Sequence, residues 1–162
     1  MILLRKEFSL TFGHLDFSTI GRSGERIELK VNRGGLIGKL LGKVSKKIRE
    51  EQGKTTNLDI YINGEVIGEI QLYSFPDKKE LNIVWIEIQK EYNGKGYSQS
   101  VLETVIKMAK EKGFKKITLE VPGKSPNARH IYEKLGFKVA DNKILGDEDD
   151  YWGGLTRMEL IL

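Results

Sequence analysis

Leu81-Asn82-Ile83-Val84-Trp85-Ile86-Glu87-Ile88 is the stretch on which the fold turns. It is a nearly continuous apolar run, the composition of a strand set in the middle of a sheet. The glycine-bearing segment Asn93-Gly94-Lys95-Gly96-Tyr97-Ser98 follows. Val101, Leu102, Val105, Ile106 and Ala109 then recur at the spacing of one helical face, and Gly113 stands where a helix closes in left-handed geometry. Residues 116–121 resume an extended pattern. Strand, loop, helix and strand succeed one another within forty-odd residues.

Upstream, 58–62 and 66–73 flank Asn63-Gly64, the pair suited to a type I′ hairpin because both residues tolerate positive φ. Phe75-Pro76-Asp77 ends that hairpin. Apolar residues at 36, 37, 40, 41, 44 and 48 predict an amphipathic helix over about 36–51, although Gly34, Gly35, Gly38 and Gly42 weaken its start. The first 35 residues read as short strands, of which 26–31 alternates with period two. Downstream, Ala128, Ile131, Tyr132 and Leu135 mark a short helix ended by Gly136, 137–140 is extended, and 155–162 reads as a last strand. The order predicts a single α/β (α+β) domain over 1–162, with a mixed central sheet flanked by helices.

The 162 residues include no cysteine, which removes thiol nucleophiles, disulfides and Cys-based zinc sites, and His14 and His130 alone argue against a His-based metal centre. Charge appears after four apolar residues at the start, and no apolar run approaches the ~20 residues that span a bilayer. The expectation is a soluble, cytoplasmic protein. Its net charge of +4 is unevenly placed. Residues 1–75 carry 12 basic and 9 acidic side chains, 76–140 carry 13 and 8, and 141–162 carry 2 and 6. A basic body thus precedes an acidic end.

The loop from Asn93 to Ser98 lies where a strand gives way to a helix N-terminus. Glycines there let backbone N–H groups converge on an anion, and the helix adds unpaired donors and its positive dipole end. Lys95 supplies charge, and Ser98 a hydroxyl. Ordinary turn chemistry would produce the same residues. Gly34-Gly35-Leu36-Ile37-Gly38-Lys39-Leu40 fails as an ATP-binding loop, because only three residues separate Gly34 from Gly38 where four are needed, and Leu40 occupies the Ser/Thr position.

Some thirty residues after the loop stands Ser125-Pro126-Asn127-Ala128-Arg129-His130-Ile131-Tyr132-Glu133-Lys134-Leu135-Gly136-Phe137. The two segments together resemble the GNAT superfamily of N-acetyltransferases. The resemblance covers about 57–140, leaves 1–56 divergent, and is looser over 141–162. In the pyrophosphate loop Gly96 matches, whereas Asn93 replaces an Arg/Gln and Ser98 a smaller residue. The resemblance implies acetyl-CoA as cosubstrate, held by Asn93, Gly94, Lys95, Gly96, Tyr97 and Ser98. It also implies two splayed parallel strands at 81–88 and 116–121. The pantetheine arm would enter between them, its amides on the backbone of Ile86 and Ile88 and its far side on Ser125 or Asn127. A main-chain N–H near Ile88 would polarise the thioester carbonyl.

Amine acetylation needs a neutral amine. At pH 7 that costs a lysine about 4.6 kcal/mol and an α-amine about 1 kcal/mol. The resemblance points to Glu120 as base and Tyr132 as acid toward the departing thiolate. Twelve residues separate the two, a spacing shared with ribosomal-protein N-terminal acetyltransferases. Glu120 also fits the polar face of an alternating strand, and Tyr132 a core position. Glu69 and Glu87 are lesser bases, and Asn82 stands where histone-acetylating members carry a glutamate. His130 reads as a surface residue, and Trp85 and Trp152 as core or pocket wall. The run 147–150, Asp-Glu-Asp-Asp, fits a solvated loop, or a lure for a cationic acceptor beside Tyr151 or Trp152.

The expected activity is direct acetyl transfer to a primary amine: a protein N-terminus, a lysine or a small amine. No metal is required, and a homodimer is left open. A CoA-binding regulatory module of the same fold is the first rival. A basic nucleic-acid binder is the second, disfavoured because no aromatic-and-basic motif accompanies the charge.

Overall fold

The computed structural model describes residues 17–31, 53–146 and 152–162. The helix expected over 36–51, His14, the acidic run 147–150 and Tyr151 lie outside them. The described strands are β1 (Phe17–Ile20), β2 (Arg26–Val31), β3 (Lys54–Ile62), β4 (Glu65–Phe75), β5 (Glu80–Ile88), β6 (Lys116–Pro122), β7 (Lys138–Leu145) and β8 (Leu155–Ile161). Helix α1 (Tyr97–Glu111) joins β5 to β6, and α2 (Pro126–Lys134) joins β6 to β7. The strands form one mixed sheet in the order β1-β2-β3-β4-β5-β6-β8-β7, with β5 and β6 parallel and the other neighbours antiparallel. No helix among the described residues is long and apolar enough to cross a membrane.

The β3–β4 hairpin turns on Asn63 (φ 50°) and Gly64 (φ 87°), both in the left-handed region that a type I′ turn demands. One face of the sheet is the core. Ile27, Leu29, Leu58, Ile60, Ile70, Leu72, Leu81, Ile117 and Leu119 are buried there against Val101, Val105 and Met108 of α1. The other face is polar. Register sets Asp59, Glu69 and Glu87 abreast on β3, β4 and β5, while Gln71 donates to Asn57 at 2.8 Å.

Two features of β5 fix the site. Gln71 pairs with Trp85 and Leu72 with Ile83, so Val84 is a surplus residue, a β-bulge. The bulge reverses the alternation: Leu81 and Ile83 face the core before it, Ile86 and Ile88 after it. The β5–β6 ladder runs only from Glu80–Lys116 to Ile83–Leu119, and both strands continue beyond it. Below that point the strands are bound together by side chains. Asn82 Nδ2–H donates to the Thr118 carbonyl (3.2 Å) and hydroxyl (3.0 Å), and the Thr118 hydroxyl donates to Glu80 Oε1 at 2.9 Å. Thr118 is therefore buried although it lies on the polar face of β6.

Candidate active site

Where the ladder stops, a cavity of about 410 Å³ opens between β5 and β6. Ile83, Val84, Trp85 and Ile86 line it from β5, and Leu119, Glu120 and Val121 from β6. Ala128 and Tyr132 of α2 close one side, with Ser125, Trp152 and Leu155 at the rim. Of the residues singled out in the sequence, Glu120, Tyr132, Ile86, Ser125, Trp85 and Trp152 all meet here.

Each is placed by local structure. Glu120 is exposed on the polar face of β6, opposite Arg157 of β8. Tyr132 is half-buried, its ring edge-on to Phe137 with centroids 5.8 Å apart, and the Phe137 N–H donates to its carbonyl at 3.0 Å. Burial pushes the Tyr132 phenol further above its ordinary value. Ser125 precedes α2, whose first turn carries Pro126, the residue with no N–H to leave unpaired. Its hydroxyl caps nothing in the helix.

Trp152 arrives through a clasp that no short-range pattern announced. Gly123 N–H donates to the Gly154 carbonyl (3.0 Å) and Lys124 N–H to the Trp152 carbonyl (3.1 Å). A Cβ at Gly123 would run into the Gly153 carbonyl, so glycine permits this approach. Trp152 is left 54% exposed at the rim.

The glycine loop lies beyond the C-terminal end of β5 and outside the cavity lining. Gly94 (φ 76°) and Gly96 (φ 78°) adopt left-handed geometry, and a Cβ at either would meet only open space. Gly96 precedes α1 with no side-chain cap, and Ser100 N–H makes the first helical bond, to the Gly96 carbonyl. The N–H groups of Tyr97, Ser98 and Gln99 are thus free of helical partners, a seat for an anion. Lys95 Nζ lies 5.3 Å from the centre of the Tyr92 ring, and Tyr97 stands 6.3 Å from the same ring. A hydrogen bond to Glu65 at the β3–β4 hairpin pushes the Tyr92 phenol up to about 12, tying the loop's base to that hairpin.

The remaining candidates stand apart. Asn127 is exposed on the first turn of α2, and Ile88 lies past the cavity, opposite Gly68. His130 is exposed on α2. Asn82 is engaged with Thr118. Glu69 and Glu87 line a separate hollow of about 180 Å³ with Asp59, Val66, Gly68 and Gln89. Burial, Asp59 and Glu87 together raise Glu69 above the usual carboxylate range. No cluster that could hold a metal occurs among the described residues.

The chain belongs to the acetyltransferase (GNAT) family, whose profile matches residues 36–137. It is 34% identical over 95 residues to the ribosomal protein bS18-alanine N-acetyltransferase of Haemophilus influenzae, covering 58% of this chain and 63% of that one. It is 28% identical over 79 residues to the uncharacterized N-acetyltransferase YycN of Bacillus subtilis, covering 48% of this chain and 51% of that one. The chain spans about half to two-thirds of the length of these relatives. Among solved structures, a GNAT family acetyltransferase from Elizabethkingia anophelis with acetyl-CoA bound superposes with a TM-score of 0.62 at 21% identity, covering 85% of this chain and 98% of that one.

Proposed function

We propose that the protein is an acetyl-CoA-dependent N-acetyltransferase that acts directly on a primary amine, with Glu120 as base and Tyr132 as acid. One observation carries this reading: a cavity between two parallel strands, past the end of their ladder, is lined by both side chains. Acetyl-CoA supplies an activated acyl group and a thiolate leaving group. The residues present fit it. The glycine loop and the free N–H groups of α1 suit the pyrophosphate. Among the described residues the side of β5 facing β6 has no ladder partner past Ile83. That leaves the main chain around Ile86 and Ile88 for the amides of the pantetheine, with the Ser125 hydroxyl across the gap.

Glu120 and Tyr132 then divide the proton traffic. The Glu120 carboxylate, on the polar face beside Trp85, takes a proton from an incoming ammonium. The Tyr132 hydroxyl, protonated at neutral pH as a phenol is, gives one to the departing sulfur. Each such transfer contributes typically ~10²–10⁴-fold. An α-amine asks less of the base than a lysine does, and the similarity to an alanine N-acetyltransferase supports a protein N-terminus as the first acceptor to try.

The test is thiol release from acetyl-CoA with three acceptors: an alanine-initiated peptide, an N-blocked lysine peptide and spermidine. At least one should support turnover. Glu120→Gln should lower kcat at neutral pH, with partial recovery at high pH where the amine is already neutral. Wild-type kcat in Glu120→Gln removes the base. A melting-temperature rise with acetyl-CoA, but no turnover on any amine, points to a regulatory module instead.

A further inference from the structure

Arg157 stands directly opposite Glu120 in the β6–β8 register, on the same face of the sheet. Directly opposed side chains of opposite charge are the natural cross-strand pair. They do not pair here. The Arg157 side chain runs back along the sheet, past Thr118, and places Nη2 3.6 Å from Glu80 Oε1 on β5. Among the described residues no side chain bonds to or pairs with the Glu120 carboxylate.

Glu80 is built to hold that arginine. Its side chain is 9% exposed. Thr118 donates to its Oε1 at 2.9 Å, and Lys116 Nζ lies 3.2 Å from its Oε2. Glu159, the one acid on β8, is 3.9 Å from Lys116. Among the described residues Glu80, Lys116, Glu159 and Glu120 surround Arg157 on this face, with Lys138 of β7 opposite Glu159. A guanidinium on Glu120 would occupy the oxygens that must receive a proton, and would set a fixed positive charge where an ammonium has to enter.

We propose that Glu80 is a positioning residue that draws Arg157 away from Glu120 and so keeps the base unpaired at the mouth of the cavity. The inference rests on Glu120 being the base. It places the control of that base about four residues back along the sheet, at the closed end of the β5–β6 pair.

The test uses the full-length protein, acetyl-CoA and whichever of the three amines above is turned over. Glu80→Gln should lower kcat at least about tenfold, within the range a base supplies, and leave KM for acetyl-CoA within about twofold. Arg157→Gln should stay within about twofold of wild type, and adding it to Glu80→Gln should return kcat to within about threefold. Arg157→Lys, which lacks the guanidinium fork and stays directly opposite Glu120, should lower kcat more than Arg157→Gln does. That variant keeps the test open if Glu80→Gln does not fold. A crystal structure of Glu80→Gln or Arg157→Lys without acetyl-CoA should show the cationic group within hydrogen-bonding reach of Glu120. Wild-type kcat in Glu80→Gln or in Arg157→Lys overturns the proposal, as does a loss in Glu80→Gln that Arg157→Gln fails to reverse. Glu120→Gln separates the two readings. If it is fully active, the base itself is wrong; if it alone is impaired, the base stands and the restraint falls.

Discussion

Replacing Thr118 with valine keeps the shape of the side chain and removes one oxygen from the join between β5 and β6. That oxygen donates to the buried Glu80 carboxylate at 2.9 Å and accepts from Asn82 at 3.0 Å. A hydrogen bond to a charged group contributes ~1.5–3 kcal/mol. The Asn82 bond counts for about 0.5 kcal/mol, at the low end of a neutral bond, because its amide still reaches the Thr118 carbonyl at 3.2 Å. Burying a methyl in place of the hydroxyl returns about 0.8 kcal/mol. The balance is a loss of about 2 kcal/mol, which in a domain of this size lowers Tm by roughly 4–8 °C. Urea unfolding at pH 7 measures it directly, as a lower midpoint with an unchanged m-value. In a Glu80→Gln background the loss should shrink, because the acceptor no longer carries charge. A loss below about 0.5 kcal/mol, or full additivity with Glu80→Gln, refutes the reasoning.

Other expectations follow from single contacts. Tyr132→Phe keeps the ring against Phe137, so Tm should hold within about 2 °C by calorimetry while kcat falls roughly tenfold; an unchanged rate would leave the tyrosine with packing alone. Gly68→Ala aims a Cβ at the Glu87 carbonyl, backbone against backbone. It should cost ~1–3 kcal/mol in denaturant unfolding, and a neutral result would mean that β4 and β5 part freely there. Glu69→Gln relieves a like-charge row. The folded state holds the Glu69 proton more tightly than the unfolded chain, so the penalty exists above its raised pKa and vanishes below the unfolded value. Cross-strand pairs of this kind are worth ~0.2–1 kcal/mol. Tm at pH 7 should therefore rise by roughly 1–3 °C, with the gain fading as pH falls through the acid range in a melting series.

Local signals carried much of the fold. Asn63-Gly64 states its own backbone geometry, and the apolar spacings of α1 and α2 state which side of each helix is buried. The bulge at Val84 was invisible, because a run in which nearly every residue is apolar has no phase to interrupt. The burial of Thr118 was invisible for a related reason. Alternation says which face a side chain takes, but not that Asn82 and Glu80 meet it there from a strand 36 and 38 residues away. The cavity gathered Glu120, Tyr132, Ile86 and Ser125 from segments the family pattern had already marked. Trp152 owes its position to glycines at 123 and 153, whose close approach is a tertiary event. Asn127 shares a motif with Ser125 and Tyr132, yet helical geometry turns it to solvent.

The surplus residue in β5 makes the opening between the strands a matter of counting. Substituting Val84 alters one outward side chain and leaves the phase of everything after it intact. Deleting it would set both halves of β5 in one unbroken register with β4, with Trp85 alone opposite Gln71 and Ile86 and Ile88 still on the core side. It would also realign β5 with β6, removing the offset at which their ladder stops. Variation in residue type can therefore retune what the cavity accepts, whereas variation in length at this one position decides whether there is a cavity at all.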